Sequence, residues 1–450
     1  MRDPKYDLSS LVKLRVAIIA VLVLLAGVLL VSAPAQAQNY GTPVTLHAFQ
    51  GYDSGDGATP VGGLTIDSNG FLYGATTYGG SAGYGTIFEV DPNDSQAPEM
   101  LLYSFSGGLD GAAPVSRIVF GQDGNLYGTT AAGETDDCLG IGGCGTVFTM
   151  TRLAPPCDPY CDWALTTIYS FDKTYGSDPY GDLVFDSANN IYGTTRYGGN
   201  GGGIITELNP TEADCMANNS SATTYGCGTV FEIDYHGGRH PSWTTPPTLL
   251  WQFDSSSYAP SCGLGSHGLD GIEPYGGVVF DASGNLLGST LIGGQSGSSY
   301  YGYGTVFQLT PPGTMWTEQV LKNLDGGTAG SYSFTTLSAQ TRSGPFYGGA
   351  ADGGGSNEDG TIFDLTAGAS CGNWSFGLVK PVGQGTGTDL DVQGPRGNLV
   401  LVSYQNNPNL YLYGTQTTGG THNEGAVFQM VYSNGSWGGS NHDLQLHWWK

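Results

Sequence analysis

Apolar and β-branched residues come in short bursts along this chain, separated by Gly, Asn, Asp and Pro, and no helical period is sustained beyond residue 37. The bursts recur in a fixed order. A β-branched run comes first: "GLTID" (63–67), "IVFG" (118–121), "LVFD" (183–186) or "VVFD" (278–281). A turn such as "SNG", "QDGN" or "ASGN" follows, whose Asn and Gly tolerate positive φ and close a tight hairpin. The second run reads "LYGTT" and the third "GTVFEV". The fourth is "LLYSF" (101–105), "TIYSF" (167–171), "LLWQF" (249–253) or "QVLKN" (319–323). Each of these runs predicts a short strand.

The order repeats. The second run is written at 70–80, "GNLYGTTAAG" (124–133), "NIYGTTRYGG" (190–199), "GNLLGSTLIGG" (284–294), "GPFYGGAADGG" (344–354) and "NLYLYGTQTTGG" (409–420). The third run answers it at "GTIFEV" (85–90), "GTVFTM" (145–150), "GTVFEI" (228–233), "GTVFQL" (304–309), "GTIFDL" (360–365) and "GAVFQM" (425–430). A supersecondary unit copied at this spacing is the mark of a repeat architecture. Four antiparallel strands per unit predict an all-β fold, a β-propeller of six blades. Seven blades are the alternative if the long third unit (199–228) hides a degenerate one. Both "VTLHAF" (44–49) and "LQLHW" (444–448) read as fourth strands, so one terminus is expected to complete a blade begun by the other. Trp163, Trp243, Trp316, Trp374 and Trp437 each fall between a third and a fourth run and are expected to wedge the core between blades.

These motifs, "LYGTT-x-GG…GTVFEL…LYSF…DGxxP", resemble the GloVer tandem-repeat proteins over roughly residues 60–440. The order of GG, strand and Trp also resembles kelch blades, with longer units here. The resemblance implies an exported bacterial protein, secreted or surface-attached. It carries no catalytic residues over to this chain.

Composition narrows the class. Of 450 residues 75 are Gly, yet 39% are hydrophobic, with 27 Tyr and 17 Phe, enough apolar surface for a core. Acidic residues outnumber basic ones 39 to 14, which argues against nucleic acid and anionic lipid as partners. Residues 1–37 read as a signal peptide, with Arg2, Lys5, Lys13 and Arg15 before "VAIIAVLVLLAGVLLV" and the small residues Ala35 and Ala37 at the cut. Cleavage leaves no membrane span and one propeller domain, 38–450, expected to be a monomer outside the cytoplasm. In an oxidising compartment the eight cysteines favour disulfides over zinc. Cys138/Cys144 and Cys157/Cys161 are spaced to staple single loops, and Cys215/Cys227 to close a longer one. Cys262 and Cys371 are left without an assigned partner.

Loops from a fourth strand to the next first strand share one rim with the loops joining second and third strands. That rim is expected to gather Asp56, Asp110, Asp178, Asp270 and Asp325. Two readings compete: a carboxylate ring for cations or sugar hydroxyls, and Asp-Gly simply making the turn. No G-x-S-x-G elbow, H-E-x-x-H or sialidase-like Ser-x-Asp-x-Gly-x-Thr box appears, so no catalytic set is assigned. No cofactor or metal is expected, a structural cation such as calcium being the exception to watch. "YHGGRH" (235–240) reads as a solvated loop. The leading expectation is a non-catalytic exported scaffold that binds carbohydrate or a cell-envelope protein. A glycoside hydrolase or lyase using rim carboxylates is the rival, and carboxylates that depart from the repeat (Glu134, Asp136, Asp137, Glu273) would carry it. A structural surface or matrix component is the third reading.

Overall fold

The computed structural model describes residues 46–51, 55–92, 99–133, 143–153, 163–199, 226–237, 242–253, 258–259, 268–294, 302–311, 316–353, 360–367, 374–381, 395, 398–403, 408–416, 426–433 and 436–437. Residues 1–37, read above as a signal peptide, Cys138, Cys157, Cys161, Cys215, Cys262, Cys371, Glu134, Asp136, Asp137, the C-terminal "LQLHW" and most of the long third unit lie outside them. All described residues belong to one compact unit, Thr45–Lys450.

The chain folds as a six-bladed, all-β propeller of antiparallel sheets. Blade 1 is Thr65–Ile66, Leu72–Thr76, Thr86–Val90 and Glu99–Ser104, in that order across the sheet. Blade 2 is Val119–Phe120, Leu126–Thr130, Thr146–Arg152 and Trp163–Ser170. Blade 3 is Val184–Phe185, Ile191–Thr195, Thr229–Ile233 and Thr248–Gln252, and blade 4 is Val279–Phe280, Leu286–Ser289, Thr305–Thr310 and Thr317–Asn323. Blade 5 has Phe346–Ala350, Thr361–Thr366 and Ser375–Pro381, its first strand reduced to a bridge between Ser338 and Tyr347. Blade 6 is Val400–Ser403, Leu410–Gln416, Ala426–Ser433 and Ser436–Trp437. Among the described residues no helix is long and apolar enough to cross a membrane.

The coupled motifs now have a cause. Register sets the glycine of "LYG" opposite the phenylalanine of "GTVF": Gly74↔Phe88, Gly128↔Phe148, Gly193↔Phe231, Gly288↔Phe307 and Gly348↔Phe363. The ring lies across the glycine, so a Cβ at Gly193 would stand 2.6 Å from the Phe231 Cζ. The threonines close the same hairpin: buried hydroxyls of Thr76 and Thr86, Thr130 and Thr146, Thr195 and Thr229 pair at 2.7–2.8 Å. A hydroxyl pair buried and mutually satisfied avoids the cost of burying either alone.

Between blades the rings interlock. Phe105, Phe171 and Phe253, each directly after a fourth strand, pack edge-on against Phe148, Phe231 and Phe307 of the next blade. Phe49, in the N-terminal "VTLHAF", makes the same contact with Phe88 of blade 1, 5.0 Å between centroids. Phe49 thus sits where Phe105, Phe171 and Phe253 sit in the other blades, although residues 46–51 form no strand. Tyrosines of "LYG" meet the tryptophans of the following blade: Tyr73 with Trp163, Tyr127 with Trp243, Tyr347 with Trp437. Edge-to-face pairs of this kind add to simple area burial.

At the axis, equivalent residues two before each first strand meet. Asp182 of blade 3 accepts from the Arg117 backbone N–H and pairs with its guanidinium at 3.2 Å. Its other contact is the Asn398 amide of blade 6, 2.6 Å away, and Asn398 in turn accepts from the Thr336 N–H of blade 5. Blades 3 and 6 face each other across the ring, so this bond spans the hub.

Candidate functional site

In blades 1 to 5 the chain entering the first strand pairs briefly with the loop between second and third strands: Ala58↔Tyr78, Ala112↔Ala132, Ser177↔Tyr197, Ile272↔Ile292 and Ser331↔Asp352. The next residue is left-handed each time: Thr59 (φ 58°), Ala113 (55°), Asp178 (61°), Glu273 (57°) and Tyr332 (59°). Only Asp among these accepts that conformation readily, so the surroundings must impose it. They do so by a backbone clasp between blades. The N–H of Ala113, Asp178, Glu273 and Tyr332 donates to Tyr84, Cys144, Cys227 and Tyr303 of the blade before. The carbonyl of each accepts from its own blade, at Ala131, Arg196, Leu291 and Ala351. Cys144 and Cys227 are themselves disulfide-bonded.

The five rim aspartates do not share one structural position. Asp56, Asp110 and Asp270 stand directly before the rim glycine and tie neighbouring elements. Asp110 accepts from the Ser106 N–H and hydroxyl and from the Tyr103 hydroxyl, Asp56 from the Gln50 and Gly57 N–H groups and His47, Asp270 from the Gly271 N–H and Trp251. Asp325 lies earlier in its loop and caps the Gly327 and Ala329 N–H groups. Asp178 lies later, at the left-handed position itself. Aligning these loops on their aspartates hides that difference.

At the left-handed position most blades carry Thr, Ala or Tyr; blades 3 and 4 carry carboxylates. The residue receiving the clasp is Thr77, Ala131, Leu291 or Ala351 elsewhere, but in blade 3 it is Arg196. Its Nε donates to Glu273 at 3.0 Å, and its Nη1 lies 3.9 Å from Asp178. Both carboxylate side chains are 4–5% exposed and Arg196 is 26% exposed. Arg196 also lies over the rings of Tyr197 and Tyr275, at 4.6 and 5.5 Å. Burial raises the Asp178 carboxyl to about 7; Arg196 opposes that and Glu273 adds to it. One Asp178 oxygen is buried with no hydrogen-bond partner. Burial raises Glu273 as well, against the pull of Arg196.

Beside these charges runs a line of rings. Tyr180 follows Pro179, Tyr275 follows Pro274, and Phe334 takes the same place in blade 5. Their centroids are 4.6 Å (Tyr180–Tyr275) and 4.9 Å (Tyr275–Phe334) apart, and all three side chains are half-buried. Blades 1 and 2 have Val61 and Val115 there. Sequence reasoning singled out Asp178 and Glu273 separately but missed Arg196 and the rings. The lone cation in "GTTRYGG", in a chain with 14 basic residues, was the available signal. Elsewhere, among the described residues, His47, Asp56 and Glu99 bring metal-ligand atoms together.

These features define a repeat propeller whose rim departs from its own repeat at blades 3 to 5. The model of the Gloeobacter/Verrucomicrobia repeat family matches residues 35–219 of this chain. No curated protein matches the chain. Among solved structures it is similar to a suspected 6-phosphogluconolactonase from Bacteroides uniformis, at 14% identity over 90% of this chain and 89% of that one, TM-score 0.46. A protein of unknown function from Dyadobacter fermentans is 11% identical over 84% of this chain and 96% of that one, TM-score 0.45. A polysaccharide lyase of family PL25, an ulvan lyase, is 10% identical over 86% and 85%, TM-score 0.42.

Proposed function

We propose that the rim of blades 3 to 5 binds a neutral polysaccharide, as the recognition face of an exported scaffold. The observation that carries this is the line Tyr180–Tyr275–Phe334 set beside the Asp178–Arg196–Glu273 group. Sugar rings present apolar C–H faces and a fringe of hydroxyls; aromatic rings cover the first and fixed charged groups hydrogen-bond the second. Arg196 is compensated by Glu273, and Asp178 is half protonated near neutrality, so the group offers donors and acceptors without a strong net field. An uncharged ligand suits that balance and the acidic chain around it.

The test is isothermal titration or affinity electrophoresis against soluble xylan, mannan and β-glucan. Binding to at least one is expected, weakened about tenfold or more in Tyr275→Ala and in Tyr180→Ala. Failure to bind any polysaccharide, or undiminished binding by the double variant, overturns the proposal.

One observation favours a second reading, a hydrolase or lyase. A carboxyl raised to about 7 with a free buried oxygen is suited to proton transfer near neutral pH. On that reading Asp178→Asn abolishes turnover while leaving binding intact; absence of turnover by the wild-type protein removes it.

A further inference from the structure

We propose that His47, Asp56 and Glu99 form a binding site for a divalent transition-metal ion of the Zn²⁺ type, which would pin the N-terminal closing segment to blade 1. The three residues come from separate stretches of chain: the N-terminal segment, the rim loop and the fourth strand of blade 1. One ligand atom from each lies within 4.8 Å of the others. His47 Nε2 is 3.1 Å from Asp56 Oδ2, and their side chains are 19% and 12% exposed. Glu99 Oε1 is inaccessible to solvent and has no hydrogen-bond partner. A tetrahedral ion with bonds of about 2.0–2.2 Å holds its ligands about 3.4 Å apart, so the group must contract by roughly 1 Å, within reach of a Glu99 rotamer change.

The repeat itself supplies the comparison. The residue two before the closing Phe, facing the rim aspartate, is Tyr103 opposite Asp110 and Trp251 opposite Asp270. Both act as donors here: the Trp251 indole N–H has no lone pair to offer a metal, and the Tyr103 hydroxyl would first have to lose its proton. Blade 1 alone among these puts an imidazole there, beside Glu99 of its fourth strand, whose register position holds Leu165 in blade 2 and Glu318 in blade 4. One nitrogen and two carboxylate oxygens select Zn²⁺ or Mn²⁺ over Ca²⁺ or Mg²⁺, which prefer all-oxygen shells. Water would complete the coordination.

The bland account is that His47 only donates to Asp56, as Tyr103 does to Asp110. His47→Gln separates the two, since a Gln amide can still donate to Asp56 but is a poor ligand. The purified full-length protein, freed of metal by chelator, is titrated with Zn²⁺ alone, and its thermal midpoint is followed with Zn²⁺ and with Ca²⁺. Equimolar Zn²⁺ uptake with a raised midpoint is expected, with affinity lost about tenfold or more in His47→Gln and in Glu99→Gln, and retained in His236→Gln. No equimolar uptake by the wild-type protein, or undiminished affinity in either variant, overturns the proposal. Glu99→Gln preserves side-chain shape, so a folding failure of one variant leaves the other decisive. The outcome is independent of glycan binding at blades 3 to 5.

Discussion

Two aspartates on the same rim respond to acid in opposite directions. Asp178 is raised by burial to about 7, so its folded form holds a proton more tightly than its unfolded form. Its stabilising contribution is complete below the ordinary carboxylate range and is lost as pH climbs through about 7. Asp178→Asn, which mimics the protonated form, should therefore match the wild type near pH 4 and exceed it at pH 8 by on the order of 2–4 kcal/mol in urea unfolding. Asp110 is also pushed up by burial, but the bonds from Ser106 and Tyr103 outweigh this and lower it. Its contribution is present above the ordinary range and lost as pH falls through the lowered value. Asp110→Asn should destabilise at neutral pH and cease to matter in strong acid. Composition and motif placed both residues in rim loops, but not their opposite environments. Asp110 is bonded by Ser106 and Tyr103 from its own stretch of chain, whereas the burial of Asp178 and its neighbours Arg196 and Glu273 come from another loop and another blade, which local spacing does not reveal.

Within a blade, the hairpin of second and third strands was the most legible element. "LYG" and "GTVF" announce strands, and each repetition strengthens the assignment. What the letters do not disclose is the steric reason for their pairing, a phenyl ring lying over a bare backbone. Gly193→Ala should cost about 2–3 kcal/mol through overpacking against Phe231 and Leu183. Gly124→Ala has open space around the added methyl and pays only for its φ of 80°, about 1 kcal/mol. A loss in Gly193→Ala no larger than that in Gly124→Ala would show that Phe231 and Leu183 give way to the added methyl without cost. The first strand of blade 5 was the least legible. "FTTLSAQ" leaves little more than the Ser338–Tyr347 bridge, because Gly and Ser-rich chain on either side supplies few ladder partners.

For the whole ring, a count of strand candidates anticipated six blades and a closure shared between termini. The Phe49–Phe88 contact supplies the N-terminal half of that closure. The hub was invisible beforehand, since Arg117, Asp182, Thr336 and Asn398 are unremarkable letters until the ring brings them together. Asp182→Ala strips Arg117 and Asn398 of their shared partner and should lower stability by about 2 kcal/mol. Combined with Asn398→Ala the loss should fall short of additive, because both variants break one network. Strict additivity in denaturant midpoints would mean the network does not act as a unit.

The Asp182–Asn398 bond has a mechanical corollary. A wheel stitched across its middle at this bond bars a long polymer from passing through that point of the axis. A polysaccharide held at blades 3 to 5, as proposed, would then lie along the crown and leave sideways, and could be gripped in mid-length without a loose end.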